Sequence, residues 1–360
     1  MKIALLTPTF VANDAVGTDM LKMAEALARP GTEVRLFADR VVAARNDVHR
    51  SDEVVAWLTD ADDVLIYHHS VAWPPVIAIL DALKCRRLLR YHNVTPHEFF
   101  YGISHDYMIS CAKGREETSE LAQMPFSGWL ADSQFNKDEL VALGVPAAQV
   151  QVLAPLNRTD DFLRHAPDAE FLRRFRDGRS NLLMVGRIAP NKGHAELIDA
   201  FACHVRNHDR EARLLIVGKQ DYRLATYRSQ LLARIEFHGV GNSVIWLDNI
   251  SDAQLRACYQ LADAMLYLSA HEGFGVPLVE AMALSLPVVA YAAAATPETL
   301  GDAGLLWDST DPRLYALSLQ RLKQDADLRA QLVEAGLRRY REHFHPDVLA
   351  ARLRDIVGIH

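Results

Sequence analysis

The chain has 360 residues, a length that predicts two domains at about 100 to 200 residues each. Half of the residues are hydrophobic and 24% are charged, which is typical of a folded globular protein and excludes a wholly disordered one. With 39 basic and 46 acidic residues the net charge is −7, which argues against non-specific nucleic-acid binding, because such proteins carry a basic footprint.

Short apolar runs alternate with amphipathic stretches along the whole chain, as in doubly wound α/β domains. The runs are apolar on both faces, which predicts parallel strands covered by helices on both sides. The first series of predicted strands is 3–7, 34–38, 64–68, 87–91, 129–131 and 150–154. The second series is 182–186, 213–218, 244–247, 264–268, 287–290 and 304–307.

The charged segment 157–180 interrupts this alternation and predicts a domain boundary. We therefore expect an N-terminal Rossmann-like domain over 1–156, a second over 157–335 and a C-terminal helix over 336–360 that packs back on the first domain. The expected fold class is α/β, with two doubly wound domains facing across a cleft. Ligands of open α/β sheets bind beyond the carboxyl ends of the strands, so residues that follow strands are the functional candidates.

No segment of the sequence predicts a membrane span. The longest nearly apolar run, 281–295, has 15 residues, whereas a spanning helix needs about 18 to 20. Pro8 interrupts the apolar N-terminus, which is interpreted as a first strand rather than a signal peptide. The cysteines lack paired spacing, which favours reduced thiols in a cytoplasmic protein.

The most informative segment is 269–287, SAHEGFGVPLVEAMALSLP, which follows a predicted strand. Glu272 lies in its loop and Glu280 lies one turn into the helix that follows. Gly273 and Gly275 allow a close backbone approach, and the free N–H groups of a helix start attract an anion. Two carboxylates beside such a turn are suited to a ligand with several hydroxyl groups and a phosphate. The alternative is a capped helix with a solvated glutamate.

This segment resembles the signature of the retaining glycosyltransferases of family 4, which adopt the GT-B fold. The resemblance implies that Glu272 holds hydroxyl groups of the donor sugar and that Glu280 holds the ribose hydroxyl groups of the nucleotide. It also implies that the backbone amides of Gly273, Phe274 and Gly275 contact the donor sugar.

A second segment, 185–193 (VGRIAPNKG), places Arg187 and Lys192 on one loop. Two fixed cations are suited to a diphosphate leaving group, whose charge grows as the glycosidic bond breaks. The family has an arginine and a lysine at this spacing in this role, and the alternative is an exposed basic loop. The implied donor-binding residues are Gly17, Gly186, Arg187, Lys192, Gly218, Lys219, Glu272, Gly273, Phe274, Gly275, Val276 and Glu280.

A third segment, 90–96 (RYHNVTP), ends a first-domain strand. Family members often have a histidine here, which implies that His92 contacts the sugar or the acceptor and completes a catalytic set with Arg187, Lys192 and Glu272. The alternative is a histidine that buttresses the loop. The expected acceptor-site residues are His68, His69, Asn93, His97 and Glu98.

Other first-domain features are interpreted more simply. The pair His68 and His69 could bind a metal, but no adjacent cysteine or carboxylate in the sequence completes a ligand set. The first loop has one glycine, Gly17, where many family members have two, and an anion site at the following helix start is still expected. The basic cluster 84–90 could approach an anionic membrane, but the excess of acidic residues in the first domain argues against strong docking.

The resemblance therefore implies a retaining glycosyltransferase that needs no metal or other cofactor. The preferred reaction is transfer of mannose from GDP-mannose to a glycan or lipid-linked glycan, in the synthesis of bacterial surface polysaccharide such as lipopolysaccharide. The alternatives are a UDP-hexose-dependent transferase of the same family and, more distantly, a UDP-sugar 2-epimerase or a non-catalytic sugar-nucleotide binding protein. We expect a cytoplasmic protein with at most weak association with the inner membrane face.

Overall fold

The computed structural model describes residues 1–12, 14–42 and 45–359. The chain divides into two compact units: the first comprises Met1–His97, Met108–Arg158 and Phe344–His360, and the second comprises Glu98–Tyr107 and Thr159–His343. The division at Arg158 lies two residues beyond the predicted boundary. The segment Glu98–Tyr107 differs from the expectation, because the sequence places it in the first domain.

The first unit contains a parallel sheet with the strand order β3-β2-β1-β4-β5-β6-β7. Its strands are β1 (Lys2–Val11), β2 (Glu33–Val42), β3 (Val48–Arg50), β4 (Val64–His69), β5 (Arg86–Tyr91), β6 (Gly128–Ala131) and β7 (Val150–Val152). The helices that follow them in the chain are α1 (Ala15–Leu27), α2 (Val54–Trp57), α3 (Pro75–Ala82), α4 (His105–Leu121) and α5 (Gln134–Ala142).

The second unit contains a parallel sheet with the strand order β10-β9-β8-β11-β12-β13. Its strands are β8 (Asn181–Val185), β9 (Arg213–Val217), β10 (Val244–Leu247), β11 (Ala264–Tyr267), β12 (Val288–Tyr291) and β13 (Gly304–Trp307). Its helices are α6 (Thr159–Arg164), α7 (Ala169–Phe175), α8 (His194–Asn207), α9 (Ala225–His238), α10 (Asp252–Leu261), α11 (Val276–Ala283), α12 (Thr296–Leu300), α13 (Pro312–Gln324) and α14 (Ala326–Arg339). A π-helical turn, Tyr340–Phe344, leads to α15 (Pro346–Val357), which lies with the first unit.

Burial explains why the short apolar runs form strands. All residues of β4 and of β9 are buried, as expected for central strands with helices on both faces. The prediction of two Rossmann-like α/β domains is confirmed. The strand β1 extends beyond the predicted 3–7 to Val11, because it pairs with β2 as far as Val11, although its pairing with β4 ends at Leu6.

Each sheet has a switch point, where the strand order changes direction. It lies between β1 and β4 in the first unit and between β8 and β11 in the second. Ligands of open α/β sheets bind at the carboxyl ends of the strands at such points. The loops after β1, β4, β8 and β11 are therefore the positions where the fold favours a site.

The loops after β8 and β11 approach each other at Gly193. This residue caps the N-terminus of α8 with a φ of 65°, a left-handed conformation that favours glycine. A Cβ atom at Gly193 would lie 1.9 Å from the carbonyl oxygen of Leu268. The contact between the two loops therefore requires a glycine here.

Gly193→Ala should lower the free energy of unfolding by roughly 3 kcal/mol, because backbone strain and steric overlap add. Gly239→Ala is the matched control, since Gly239 has a φ of 68° and no neighbour within 4 Å of its Cβ position. That variant should lose only the strain, about 1 kcal/mol. Urea denaturation of both variants measures the difference, and equal losses would contradict the steric argument.

Candidate active site

Backbone contacts hold together the loops at the carboxyl ends of β8 and β11. The carbonyl oxygen of Asn191 accepts hydrogen bonds from the Ala270 N–H at 2.9 Å and from the His271 N–H at 3.2 Å. The Asn191 side-chain amide donates to the carbonyl oxygen of His271 at 3.1 Å, and Asn191 is 1% exposed. Asn191 therefore fixes the position of the segment that carries Glu272.

The loop after β9 joins the same group. A Cβ atom at Gly218 would lie 1.9 Å from the carbonyl oxygen of Gly186, so these two predicted site glycines lie in close contact. The Ile188 N–H donates to the carbonyl oxygen of Lys219 at 3.3 Å, and the Lys219 side chain is exposed. Arg187 is also exposed at this edge of the sheet. The structure thus brings the predicted cationic loops together.

The Glu272 carboxylate is 8% exposed and is held by three side chains. Lys192 Nζ lies 2.6 Å from Oε2, while the hydroxyl groups of Tyr267 and Ser269 donate to Oε1 at 2.5 and 2.7 Å. Burial acts to raise the pKa of Glu272, but the Lys192 charge and these hydrogen bonds outweigh it, and the pKa lies below its usual value. Glu272 is therefore ionised and fixed in direction.

This geometry leaves Glu272 able to bind a hydroxyl group. A carboxylate offers about four acceptor sites, and the three side chains occupy three of them. The same geometry adds to the view of Lys192, since the sequence predicted a cation for the diphosphate and the structure also pairs it with Glu272. Lys192 can still meet a second anion, because an ammonium group has three donors and its side chain is 18% exposed.

Glu280 lies on α11, one turn after the helix begins. The hydroxyl group of the buried Tyr259 donates to Glu280 Oε2 at 2.6 Å and fixes the direction of the carboxylate. Burial, followed by the Glu280 charge, raises the pKa of Tyr259 well above its usual value, so the phenol stays protonated and keeps donating.

The helix α11 begins at Val276, as the sequence predicts, with Gly275 as its N-cap at a φ of 97°. Before it, Gly273 is half-buried and Phe274 is buried. The hydroxyl group of Thr299 donates to the carbonyl oxygen of Phe274 at 2.6 Å. The loop that carries the predicted sugar-binding amides is thereby anchored to α12.

The first unit holds a buried charge network at the carboxyl ends of β4 and β5. Arg90 is 0% exposed and lies between two carboxylates, with Nε 3.0 Å from Asp19 Oδ2 and Nη2 2.9 Å from Asp132 Oδ1. The Arg90 side chain also donates to the carbonyl oxygen of Leu153 at 2.6 Å, and Asp19 Oδ1 accepts from the Leu156 N–H at 2.6 Å. The network therefore holds the chain that leaves β7.

His92 belongs to this network through both ring nitrogens. Its Nδ1 lies 3.0 Å from Asp132 Oδ2, and its Nε2 lies 2.9 Å from His68 Nδ1. Contact between a His92 nitrogen and a sugar would therefore require one of these hydrogen bonds to open. These two contacts favour the alternative interpretation of the sequence, in which His92 supports the loop structurally.

The structure corrects the view that no carboxylate accompanies His68. Asp19 Oδ2 lies 3.8 Å from His68 Nδ1 and 3.6 Å from His92 Nε2, so the three side chains could be considered as metal ligands. Arg90 contacts the same Asp19 oxygen, and its positive charge disfavours a second cation there. Burial lowers the pKa of His68 well below its usual value, so its imidazole is neutral.

The other predicted acceptor-site residues differ in how far they are buried. His69 is fully buried, with Nε2 2.8 Å from Thr118 Oγ1, and burial lowers its pKa to about 4, so it is a core residue and does not line a surface. Asn93, at a φ of 72°, donates to Asn136 and is buried. His97 is half-buried and Glu98 is exposed, where the chain passes from the first unit to the second.

The helix start after β1 does not offer the anion site that the sequence suggests. The Gly17 N–H donates to the side chain of Asp14, the N-cap of α1, at 2.7 Å. A carboxylate already occupies this position, and its charge would repel a phosphate. The neighbouring Asn13 lies outside the described residues.

The arginines of the basic cluster 84–90 hold parts of the fold together, whereas Lys84, which precedes β5, is exposed. Arg86 donates to the carbonyl oxygens of Ile356 and Val357 and thereby holds the end of α15. Arg87 donates to two further backbone carbonyl oxygens, and Arg90 is the buried cation of the network.

Among the described residues, no helix is both long enough and apolar enough to cross a bilayer.

Sequence reasoning missed the residues that support the site from a distance. Tyr267 binds Glu272 and Tyr259 binds Glu280, and each tyrosine lies on a different element from its carboxylate. Asn191 positions the segment of Glu272 from another loop, and Asp19 is far from Arg90 in the chain. The turn sequence Pro190–Gly193 was a usable signal for Asn191, because a polar residue in a tight turn commonly bonds to backbone. The others carry no local signal.

Residues 169–339 match the family model described as glycosyl transferases group 1. The second unit carries a glycosyl transferases group 1 domain. The predicted family resemblance is thus confirmed for the domain that contains Arg187, Lys192, Glu272 and Glu280.

Known proteins similar to this chain are also glycosyltransferases, consistent with the family model. This chain is 36% identical over 110 residues to the serotype-specific mannosyltransferase WbdA of Escherichia coli. The matched segment covers 30% of this chain and 13% of the relative. Over 236 residues it is 29% identical to the GDP-mannose-dependent alpha-(1-6)-phosphatidylinositol monomannoside mannosyltransferase of Mycobacterium tuberculosis, covering 62% of this chain and 60% of the relative. The chain therefore spans about an eighth of the length of the first of these relatives.

A solved structure resembles the whole chain. HepE from Anabaena, determined in complex with UDP and glucose, is similar with a TM-score of 0.77 and 19% identity, and the match covers 99% of each chain. The predicted GT-B fold class is confirmed.

Arg90→Met tests the buried network. The change leaves Asp19 and Asp132 without their cation and should cost roughly 3 to 5 kcal/mol near pH 8. Burial already raises the pKa of Asp19, and without Arg90 it would rise further above the unfolded value. Protonation then relieves the penalty, so the stability loss should be smaller at pH 5.

The measurement is urea denaturation at pH 5 and pH 8. Arg87→Met is the control, because Arg87 donates to the carbonyl oxygens of Leu80 and Pro125 and binds no carboxylate among residues 1–12, 14–42 and 45–359. Its penalty should be the same at both pH values. An equally pH-independent loss for Arg90→Met would show that its charge does not compensate the carboxylates.

Proposed function

We propose that the chain is a retaining glycosyltransferase that moves a hexose from a nucleotide sugar to a hydroxyl group of a glycan or glycolipid. The observation that carries this proposal is the fixed, ionised Glu272 beside Lys192, within a domain of the matching family. A carboxylate with one acceptor site left and an ammonium with donors left suit adjoining parts of one ligand, the sugar hydroxyl groups and the diphosphate.

The chemistry follows from where charge develops. As the glycosidic bond breaks, the anomeric carbon becomes electron-poor and the leaving diphosphate gains negative charge. Arg187 and Lys192 stabilise that charge, and cations that are held in place before the reaction stabilise it most effectively. These side chains supply the role that a divalent metal would otherwise have, so we propose a metal-independent reaction.

The remaining donor contacts are assigned to the same edge of the second unit. Glu280, oriented by Tyr259, accepts hydrogen bonds from the ribose hydroxyl groups. The amides of Gly273 to Val276 contact the sugar and the phosphate at the start of α11. His92, Asn93 and Glu98 remain proposed for the acceptor side, with His92 acting only if it exchanges a partner in its network.

The preferred donor is GDP-mannose, and the proposed setting is bacterial surface-polysaccharide synthesis in the cytoplasm or at the inner membrane face. Support comes from the names of the relatives, since the E. coli protein is a serotype-specific mannosyltransferase and the M. tuberculosis protein is GDP-mannose-dependent. The Anabaena structure, which contains UDP, keeps a UDP-hexose donor as the alternative.

The test is a binding and turnover panel in the presence of a metal chelator. GDP, UDP and ADP are compared by thermal shift, where a ligand at about 100 times its dissociation constant stabilises by ~2.7 kcal/mol. GDP-mannose and UDP-glucose are then assayed with an alkyl mannoside acceptor, and the product's anomeric configuration is read by NMR. Retained configuration with GDP-mannose supports the proposal. A response confined to UDP would replace the donor, and no binding or turnover would overturn the proposal.

Glu280→Ala should weaken the binding of the preferred nucleoside diphosphate by roughly 10-fold to 100-fold, because hydrogen bonds to a charged group contribute about 1.5–3 kcal/mol. Titration calorimetry with the free nucleotide measures this change without any acceptor. The control is Glu334→Ala, at an exposed position on α14, which should bind normally. Unchanged affinity in Glu280→Ala would remove the ribose assignment.

A further inference from the structure

The segment Glu98–Tyr107 reaches the donor loops although the chain around it belongs to the first unit. Phe99 contacts the ring of His271, next to Glu272, with ring centroids 6.1 Å apart. At the other end of the segment, Tyr107 is stacked on the buried Phe100 at a centroid distance of 4.9 Å. The position of the Tyr107 ring is therefore fixed by packing.

The Tyr107 hydroxyl group uses its full hydrogen-bonding capacity on the loops after β8 and β9. It donates to Asp221 Oδ2 at 2.7 Å, and it accepts from Arg223 Nη2 at 3.1 Å and from Arg187 Nη1 at 3.3 Å. A phenol has one donor and two acceptor sites, so all three are occupied. The two guanidinium carbons also lie 4.6 Å (Arg223) and 5.5 Å (Arg187) from the ring centroid, within range of a cation–π contact.

The two arginines differ in how their charge is compensated. Asp221 binds Arg223 through Nε at 3.0 Å and Nη2 at 2.6 Å, and these hydrogen bonds hold the pKa of Asp221 well below its usual value. Arg187, by contrast, has no carboxylate within ion-pair distance in the described part of the chain. Its hydrogen-bond partner is the neutral phenol of Tyr107.

We propose that Tyr107 is a positioning residue for Arg187, which it orients toward the leaving diphosphate without neutralising it. This inference rests on the proposed function, because it assigns the purpose of Arg187 to that reaction. A carboxylate partner would fix the guanidinium equally well but would cancel its charge. A neutral acceptor fixes the direction and leaves the charge for the transition state, where fixed charges act most strongly.

Tyr107→Phe removes the hydroxyl group and keeps the ring against Phe100 and both guanidinium groups. The diphosphate already carries charge in the bound donor and gains more as the bond breaks, so a loosened Arg187 should affect kcat more than KM. We expect kcat to fall about tenfold, which equals ~1.4 kcal/mol, with the donor KM within about twofold. Tyr222→Phe, at a neighbouring position that is 88% exposed, is the matched control and should behave as wild type.

A double-mutant cycle with Arg187→Ala separates this role from a general structural one. If Tyr107 acts through Arg187, adding Tyr107→Phe to Arg187→Ala should lower kcat no further. The same tenfold loss in both backgrounds, or an unchanged kcat in Tyr107→Phe, would overturn the inference while wild-type turnover still upholds the proposed function. A wild-type protein that binds neither GDP nor UDP would instead overturn the proposed function and this inference together.

Discussion

The buried ion pair between Lys192 and Glu272 is the interaction on which the site depends. It joins the loop after β8 to the loop after β11, the two strands that flank the switch point of the second sheet. Burying a carboxylate is costly unless its charge is paired and its remaining acceptor sites are filled. Tyr267 and Ser269 meet most of that requirement, and the close contact at Gly193 brings the loops near enough for the pair to form.

The two units use buried charge in different ways. In the first unit Arg90 lies fully buried between Asp19 and Asp132, and His92 and His68 complete a set of groups that mainly bind one another. In the second unit the loop that carries Lys192 also carries the exposed Arg187, and the loop after β9 carries the exposed Lys219. A network whose members satisfy each other fixes a fold, whereas one with spare donors and a spare acceptor site can bind a ligand. This contrast is why the donor assignments rest on the second unit.

The sequence predicted the features that are written locally. The apolar runs predicted the positions of the strands along the chain except for the short β3, and the segment 269–287 predicted the start of α11 at Val276 and offered Glu272 and Glu280 as candidates. The sequence could not predict contacts between residues that are far apart in the chain and meet only in the folded structure. Asp19 meets Arg90 across 71 residues, and Tyr107 meets Asp221 across 114. For the same reason His69 looked like a surface ligand, although its strand is buried on both faces.

Lys192 and Arg187, the two predicted cations, differ in the partners that folding brings to them, and these partners give the two side chains different roles. Lys192 is bound to Glu272, so part of its charge holds the carboxylate that we propose binds the sugar hydroxyl groups. Arg187 is bound by a neutral phenol, so its charge is left for an anion. A catalyst for glycosyl transfer needs both functions, a fixed acceptor for the sugar hydroxyl groups and an uncompensated cation for the departing diphosphate. Two basic residues on one loop can meet both needs only because they have partners of opposite kinds, an ion in one case and a dipole in the other.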